Sequence, residues 1–270
     1  MNSLSIEKSG PGRYLARKRL RLFLFCLGVF AAALLSMAVT QYKVEDSITA
    51  VPKVIVWMAK NLIPDKKAFG RLPRITDKLV ETVLMSVAAS VTASAAAFFF
   101  GLMGSRTTCS KKPLLTIARS TASIFRNIPI AAWAMIFLLT FGQSSFTGYV
   151  ALFFASFGFL TRAFIETIDE AASSPVEALR ACGGSYFHII FQGVLPSVLP
   201  QIISWILYMI ETNIRSAALV GLLTGSGIGF MFSIYYKSLQ YRSASLVVLM
   251  IVFVVLLIEI VSNKVRRIIL

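Results

Sequence analysis

SPVEALRACGGSYFHIIFQGVLPSVLP, residues 174–200, is a polar, glycine-broken stretch set between long uncharged segments. Alone, it spells two short helices. Ser174 fits an N-cap, Pro175 the first helical position and Glu177 the third, a capping box that satisfies backbone N–H groups otherwise left without partners. Gly183 and Gly184 suit the left-handed conformation that ends a helix, and Ser185 then caps a second one through Tyr186, Phe187, Ile189, Ile190 and Phe191. A compact capped helix with apolar knobs beside it, here Ala178, Leu179, Ala181, Tyr186 and Phe187, reads as a docking element. His188, the single histidine, reads as surface packing within it rather than as a catalyst.

Outward from this stretch the chain is membrane protein. Hydrophobic residues make up 57%, charged residues only 14%, and the mean hydropathy is +0.76, values no soluble domain of this length shows. Residues 22–42 and 82–105 each exceed the roughly 20 residues that cross a bilayer core as a helix. Residues 127–161 are too long for one span and carry GQSSFTG (142–148) in the middle, so they read as two helices reaching back to about Leu114 and forward to about Ile165. Residues 194–213, entered through Pro196 and Pro200, and 244–262 complete an all-α polytopic fold of about six spans. Residues 216–236 are also uncharged, but Gly221, Gly225, Gly227 and Gly229 make them a short or broken helix on the outer side.

With six spans, the basic residues Lys8, Arg13, Arg17, Lys18, Arg19, Arg21, Arg106, Lys111, Lys112, Lys264, Arg266 and Arg267 all fall on one side, which places both termini in the cytoplasm. The opposing segment 43–74 is itself basic, and within it residues 51–63 (VPKVIVWMAKNLI) read equally as an amphipathic helix in the outer interface or as a loop helix packed on the protein. The net charge of +15 suits topology and anionic headgroups; no basic residues alternate with aromatics as in a nucleic-acid module. The basic start followed by residues 22–42 and Ser36-Met37-Ala38 looks like a secretory leader, yet the apolar run is long enough to stay as an anchor. Cys26, Cys109 and Cys182 are odd in number and scattered, which excludes a disulfide framework, and no metal-ligand cluster emerges.

Glu177-Ala178, Gly183 six residues on, and Leu195-Pro196 resemble the EAA loop of permease subunits of ATP-binding cassette importers. Leu179 stands where that pattern has a second alanine, and Gly193 where it usually has isoleucine. From Glu81 to the carboxyl end the chain is similar to permeases of the phosphonate importer family. The carrying residues are Glu81-Thr82, Arg126-Asn127-Ile128-Pro129 with Trp133-Ala134, Arg162 to Glu166, and ETNIRSA (211–217) followed by GSGIGF. The resemblance implies a type I importer permease core in the inner membrane at residues 76–270. Residues 1–75 supply a basic tail, a first span and the external amphipathic segment, and a coupling loop occupies 169–193. It further implies a second permease copy, identical or paralogous, two ATPase subunits that bind ATP and Mg, and an external phosphonate-binding protein. It implies no cofactor in this chain, which is not itself an enzyme. Consistent with that, the chain has no GxxxxGK[ST], and its GSGIG reads as a tight bend rather than a phosphate loop.

Glu177, Ala178, Leu179, Gly183, Tyr186 and Phe187 are the expected ATPase-coupling residues. For the path itself the candidates are Arg126, Asn127, Glu211, Asn213 and Arg215, because an ionisable group at bilayer depth is costly and faces a cavity, a partner or a transport route. A guanidinium fork matches phosphonate oxygens, Asn127, Thr212 and Asn213 add neutral hydrogen bonds, and Pro129 interrupts its helix. The competing expectation is that Arg126 and Arg215 form structural pairs with Glu211, Glu166 or Glu81, or extend to an interface. A permease for another small solute, a channel or carrier without ATP coupling, and a membrane-embedded enzyme are the alternative functions. The last lacks chemistry, since twelve acids are spread thinly and one histidine lies on the docking stretch.

Overall fold

The computed structural model describes residues 11–41, 44–109 and 111–269; Lys8, Tyr42 and Lys43, used above for topology, lie outside them. The described residues form helices α1 (Pro11–Val39), α2 (Val44–Asn61), α3 (Lys66–Phe69), α4 (Leu72–Gly104), α5 (Lys112–Asn127) and α6 (Ile130–Phe141). There follow α7 (Ser145–Ala171), α8 (Ser173–Ala181), α9 (Tyr186–His188), a π-helical segment (Ile189–Val194), α10 (Leu195–Thr224), α11 (Gly227–Lys237) and α12 (Tyr241–Ile269). Five helical stretches are long and apolar enough to cross a membrane, six if the bent pair α5 and α6 counts as one span.

Two compact units divide the chain at Lys60 and Asn61. In the first, the side chains of α1 from Arg17 onward and of α2 between Val51 and Lys60 are exposed, including Phe25, Leu35 and Trp57. The second is built around α4 and α7. Small residues at helical spacing, Ala89, Ala93, Ala97 and Gly101, are buried on one face of α4, so the backbones approach closely where Leu160, Phe164 and Ile168 of α7 pack. Ser86 and Ser90, on the same helix, donate to the carbonyls of Thr82 and Ser86 at 2.8 and 2.7 Å, which keeps their hydroxyls paired inside the core.

The expected break at Pro129 is present and sharp: α5 and α6 meet at 90° across Ile128 and Pro129. Stacked rings hold that corner onto α7, with Phe125, Trp133 and Phe137 each 5.2 Å from Phe154. The GQSSFTG turn is also present, and Ser144 caps α7 by accepting from the Thr147 N–H.

The helix entered through Pro196 runs on to Thr224, eleven residues past the expected end at Asn213. Glu211 and Arg215 lie inside it rather than closing it, because they neutralise each other at 3.1 Å. The chain then bends back. Gly225 is left-handed at φ +68°, and α11 lies so close to α10 that a Cβ on Gly229 would sit 2.0 Å from the Ala218 carbonyl oxygen. Thr82 fixes this bend from α4, its hydroxyl accepting from the Ile228 N–H at 2.8 Å. The glycine-rich stretch is thus a helix–turn–short helix, as its composition suggests.

Candidate functional site

The docking stretch departs from the expected pair of capped helices in three ways. First, α8 begins at Ser173 with Ala172 as N-cap and no side-chain cap, so the Ser174–Glu177 capping box does not form; α7 ends on the same Ala172, leaving no room for an extended Ser174. Second, only Gly183 is left-handed, at φ +77°. The Gly184 N–H reaches the Leu179 carbonyl at 2.9 Å and the Gly183 N–H that of Arg180 at 3.0 Å, a Schellman termination. Third, the second helix is not separate. Ser185 is its N-cap but bonds His188 Nδ1 at 2.6 Å instead of the backbone, and α9 continues through the π-helical segment into α10 as one 39-residue helical run, Tyr186–Thr224.

The apolar face of α8 is an anchor. Ala172 and Val176 are fully buried with Ile189, Ile190 and Val194, and Leu179 is half-buried against them, so Leu179 is not one of the exposed knobs. Gly193 leaves room for this seat: a Cβ there would lie 2.8 Å from Leu179 Cδ1, and the tip of Leu179 would have to move. Glu177, Ala178, Gly183, Tyr186 and Phe187 are exposed, the last two at 51% and 71%, with their rings edge to face.

Sequence reasoning missed the node that holds this element in place. Asp169 Oδ1 accepts from the Ser105 hydroxyl at 2.6 Å and the Arg106 and Thr107 N–H groups at 2.8 and 3.2 Å, while Oδ2 takes Arg119 at 2.9 Å. Arg119 also donates to the Gly104 carbonyl at 2.8 Å, and Arg180 of α8 reaches the Thr107 carbonyl at 2.7 Å. The carboxylate thereby ties α7 and α5 to the α4–α5 loop, and Arg180 ties α8 to the same loop. Its only signal in the sequence was an acid in the last turn of a span beside a basic loop.

The path residues separate into three groups. Glu211, buried at 9%, faces two arginines, Arg215 at 3.1 Å and Arg266 of α12 at 3.8 Å, so the structural pairing expected for Arg215 is the one observed. Asn213 is a clamp between helices: its amide donates to Ser90 of α4 at 2.9 Å and Ser156 of α7 at 2.6 Å. Asn127 is exposed and bonds back to the Ser123 carbonyl at 2.9 Å. Arg126 pairs with neither Glu166, which holds Arg162 at 2.6 Å, nor Glu81, which holds Lys78 at 2.6 Å. It lines a cleft of about 260 Å³ at the α5–α6 break, with Ile128, Phe159, Tyr208, Thr212 and Asn213. Gly158 lets α7 press against this point, since a Cβ there would lie 2.5 Å from the Arg126 backbone nitrogen. A larger cleft of about 500 Å³ between α7 and α10 carries Glu166 and Glu170 and is unsuited to anions. Among the described residues no group of three metal-ligating side chains occurs.

This is a bundle of membrane-crossing helices, and residues 96–269 match the family described as binding-protein-dependent transport system inner membrane component. The chain belongs to that family. Among curated relatives, the phosphate-import permease protein PhnE of Mycolicibacterium smegmatis is 29% identical over 80% of this chain, which spans 40% of that protein's length. The putative phosphite transport system permease protein HtxC of Stutzerimonas stutzeri is 26% identical, covering 91% of this chain and 87% of its own. The putative cryptic phosphonate transport system permease protein PhnE2 of Escherichia coli is 33% identical over 44% of this chain and 97% of its own. Among solved structures, an inward-facing form of the MetNI methionine ABC transporter superposes with a TM-score of 0.60 at 20% identity, over 73% of this chain and 98% of that one. At that identity the likeness concerns the fold, a type I importer permease core.

Proposed function

We propose that this chain is a membrane-spanning subunit of an ATP-driven importer that carries a small phosphorus oxyanion, a phosphonate, phosphite or phosphate ester, by alternating access. The observation that carries the reading is the docking element: α8 is seated by Val176 and Leu179, braced by Asp169 and Arg180, and leaves Glu177, Ala178, Tyr186 and Phe187 outward. A motor domain needs such a projection, rigidly tied to several spans and apolar at its tip. Two ATPase subunits, holding ATP and Mg, seat one docking element each, which calls for a second permease copy. ATP-driven closure draws the two elements together, and the spans open toward a loaded external binding protein. With α8 on the cytoplasmic face of the inner membrane, both termini are cytoplasmic. The substrate class follows the phosphate, phosphite and phosphonate permeases to which the chain is similar.

The test is ATP hydrolysis by the complex in lipid discs, assembled from this chain, its ATPase and its binding protein, with methylphosphonate or phosphite. Stimulation by the loaded binding protein that drops at least several-fold in Glu177→Ala supports the reading. Phosphite flux indifferent to ATP refutes it in favour of a channel or carrier.

A further inference from the structure

We propose that the cleft at the α5–α6 break is a one-arginine oxyanion site in which a small tetrahedral anion is held by the Arg126 guanidinium and the Thr212 hydroxyl during passage. The proposal rests on the transport reading above and adds the residues that meet the solute.

Four observations converge on it. Among clefts that arginines line, the one near α3 has them committed: Arg71 donates to Gln240 and Ser243, and Arg242 lies 3.4 Å from Asp65. In the α5–α6 cleft, Arg126 is the sole charged side chain, no carboxylate lines the wall, and its guanidinium has no ion pair or hydrogen bond among the described residues. Second, the Thr212 hydroxyl is buried in this wall without a hydrogen-bond partner, whereas Thr82 and Thr224 both donate to a carbonyl one turn back. A buried hydroxyl left unpaired is costly, and a turn about the Thr212 Cα–Cβ bond that presents it to an anion in the cleft removes that cost.

Third, α6 starts at this cleft with Pro129 as N-cap. The N–H groups of Ala132 and Trp133 turn back to the Pro129 carbonyl at 2.9 and 3.2 Å, while those of Ile130 and Ala131 have no backbone acceptor, which leaves partial positive charge at the point where Ile128, Pro129 and Ile130 line the wall. Fourth, at about 260 Å³ the cleft is below the roughly 300 Å³ at which pockets for drug-sized ligands begin, so it suits a small ion. Its apolar lining of Ile128, Phe159 and Met209 strengthens the attraction to a single guanidinium. One cation neutralises one charge, which favours a monoanion over a dianion.

The experiment uses the complete complex in vesicles with saturating, phosphite-loaded binding protein and reads both phosphite uptake and ATP hydrolysis. Arg126→Gln is expected to lower phosphite moved per ATP by about 10- to 100-fold, and Thr212→Val by a few-fold, with stimulated ATPase held within about twofold. Arg126→Lys, which keeps the charge without the fork, is expected to fall between wild type and Arg126→Gln. Unchanged uptake per ATP in both Arg126→Gln and Thr212→Val overturns the site. Parallel loss of ATPase and uptake in both variants also overturns it, since that marks positions that only hold the fold. Absence of binding-protein stimulation in the unmodified complex removes the transport reading itself, which separates the two failures.

Discussion

Replacing Asp169 with alanine tests whether one carboxylate braces the docking element. The change removes the acceptor of the Ser105 hydroxyl and the Arg106 and Thr107 N–H groups and leaves Arg119 without its ion partner. Hydrogen bonds to a charged acceptor contribute about 1.5–3 kcal/mol each, but four, the Thr107 hydroxyl at 3.3 Å included, share Oδ1 and do not add. The side chains of Arg119 and Asp169 are 24% and 27% exposed, which screens their pair in part. The net expectation is about 2–4 kcal/mol of local opening free energy in the α4–α5 loop. Every 1.4 kcal/mol is tenfold, so the amides of Arg106 and Thr107 should exchange hydrogen about 30- to 700-fold faster. Hydrogen exchange on the protein in lipid discs, followed on peptides ending before Ser110, reads this directly. Because Arg180 hangs on the Thr107 carbonyl, binding-protein-stimulated ATPase should fall while the spans keep their protection. Equal exchange of both amides in wild type and Asp169→Ala would refute the reasoning.

Gly193→Val should force Leu179 from its seat and reduce coupled ATPase. The double change with Leu179→Ala, which frees the space at Cδ1, should restore much of it, and a failed rescue would point to the π-helical backbone rather than the side-chain clash. At the start of α3, the Ala68 N–H and then the Arg242 guanidinium hold the Asp65 carboxyl below its ordinary value of 3.8. A depressed folded-state pKa stabilises above the unfolded value, so the α3 cap should weaken as pH falls below about 4. Exchange at Ala68 measured between pH 5 and 3 should show that loss in wild type, and Asp65→Asn should flatten it.

The spans were legible because each needs only a run of uncharged residues, and the breaks at Pro129 and Gly225 because proline and glycine act locally. Helix lengths were less so. Charges at 211 and 215 look like the end of a span until the pair is seen closing on itself and on Arg266, so α10 outran its expected limit. The capping box at Ser174 failed for a similar reason: α7 runs to Ala171, a residue pattern alone could not say so, and Ala172 serves both helices. Of the five path residues, Arg126 is the one with a cleft and no partner among the described residues; Asn213 turned out to clamp helices through Ser90 and Ser156, serines more than fifty residues away in sequence. The Asp169 node joins residues from four stretches of chain and had no local pattern to announce it.

The single helical run from Tyr186 to Thr224 has a mechanical consequence. Its 39 residues extend about 58 Å at 1.5 Å each, against roughly 30 Å of bilayer hydrocarbon, so nearly half of its length lies outside the hydrocarbon core. It is a crank with its handle at Tyr186 and Phe187 and its shaft carrying Glu211 and Asn213. No flexible loop lies between handle and shaft to absorb a stroke. The wide π turn at Ile189–Val194 is the one place along it where the helical winding changes, and α8 is clasped there through Gly193.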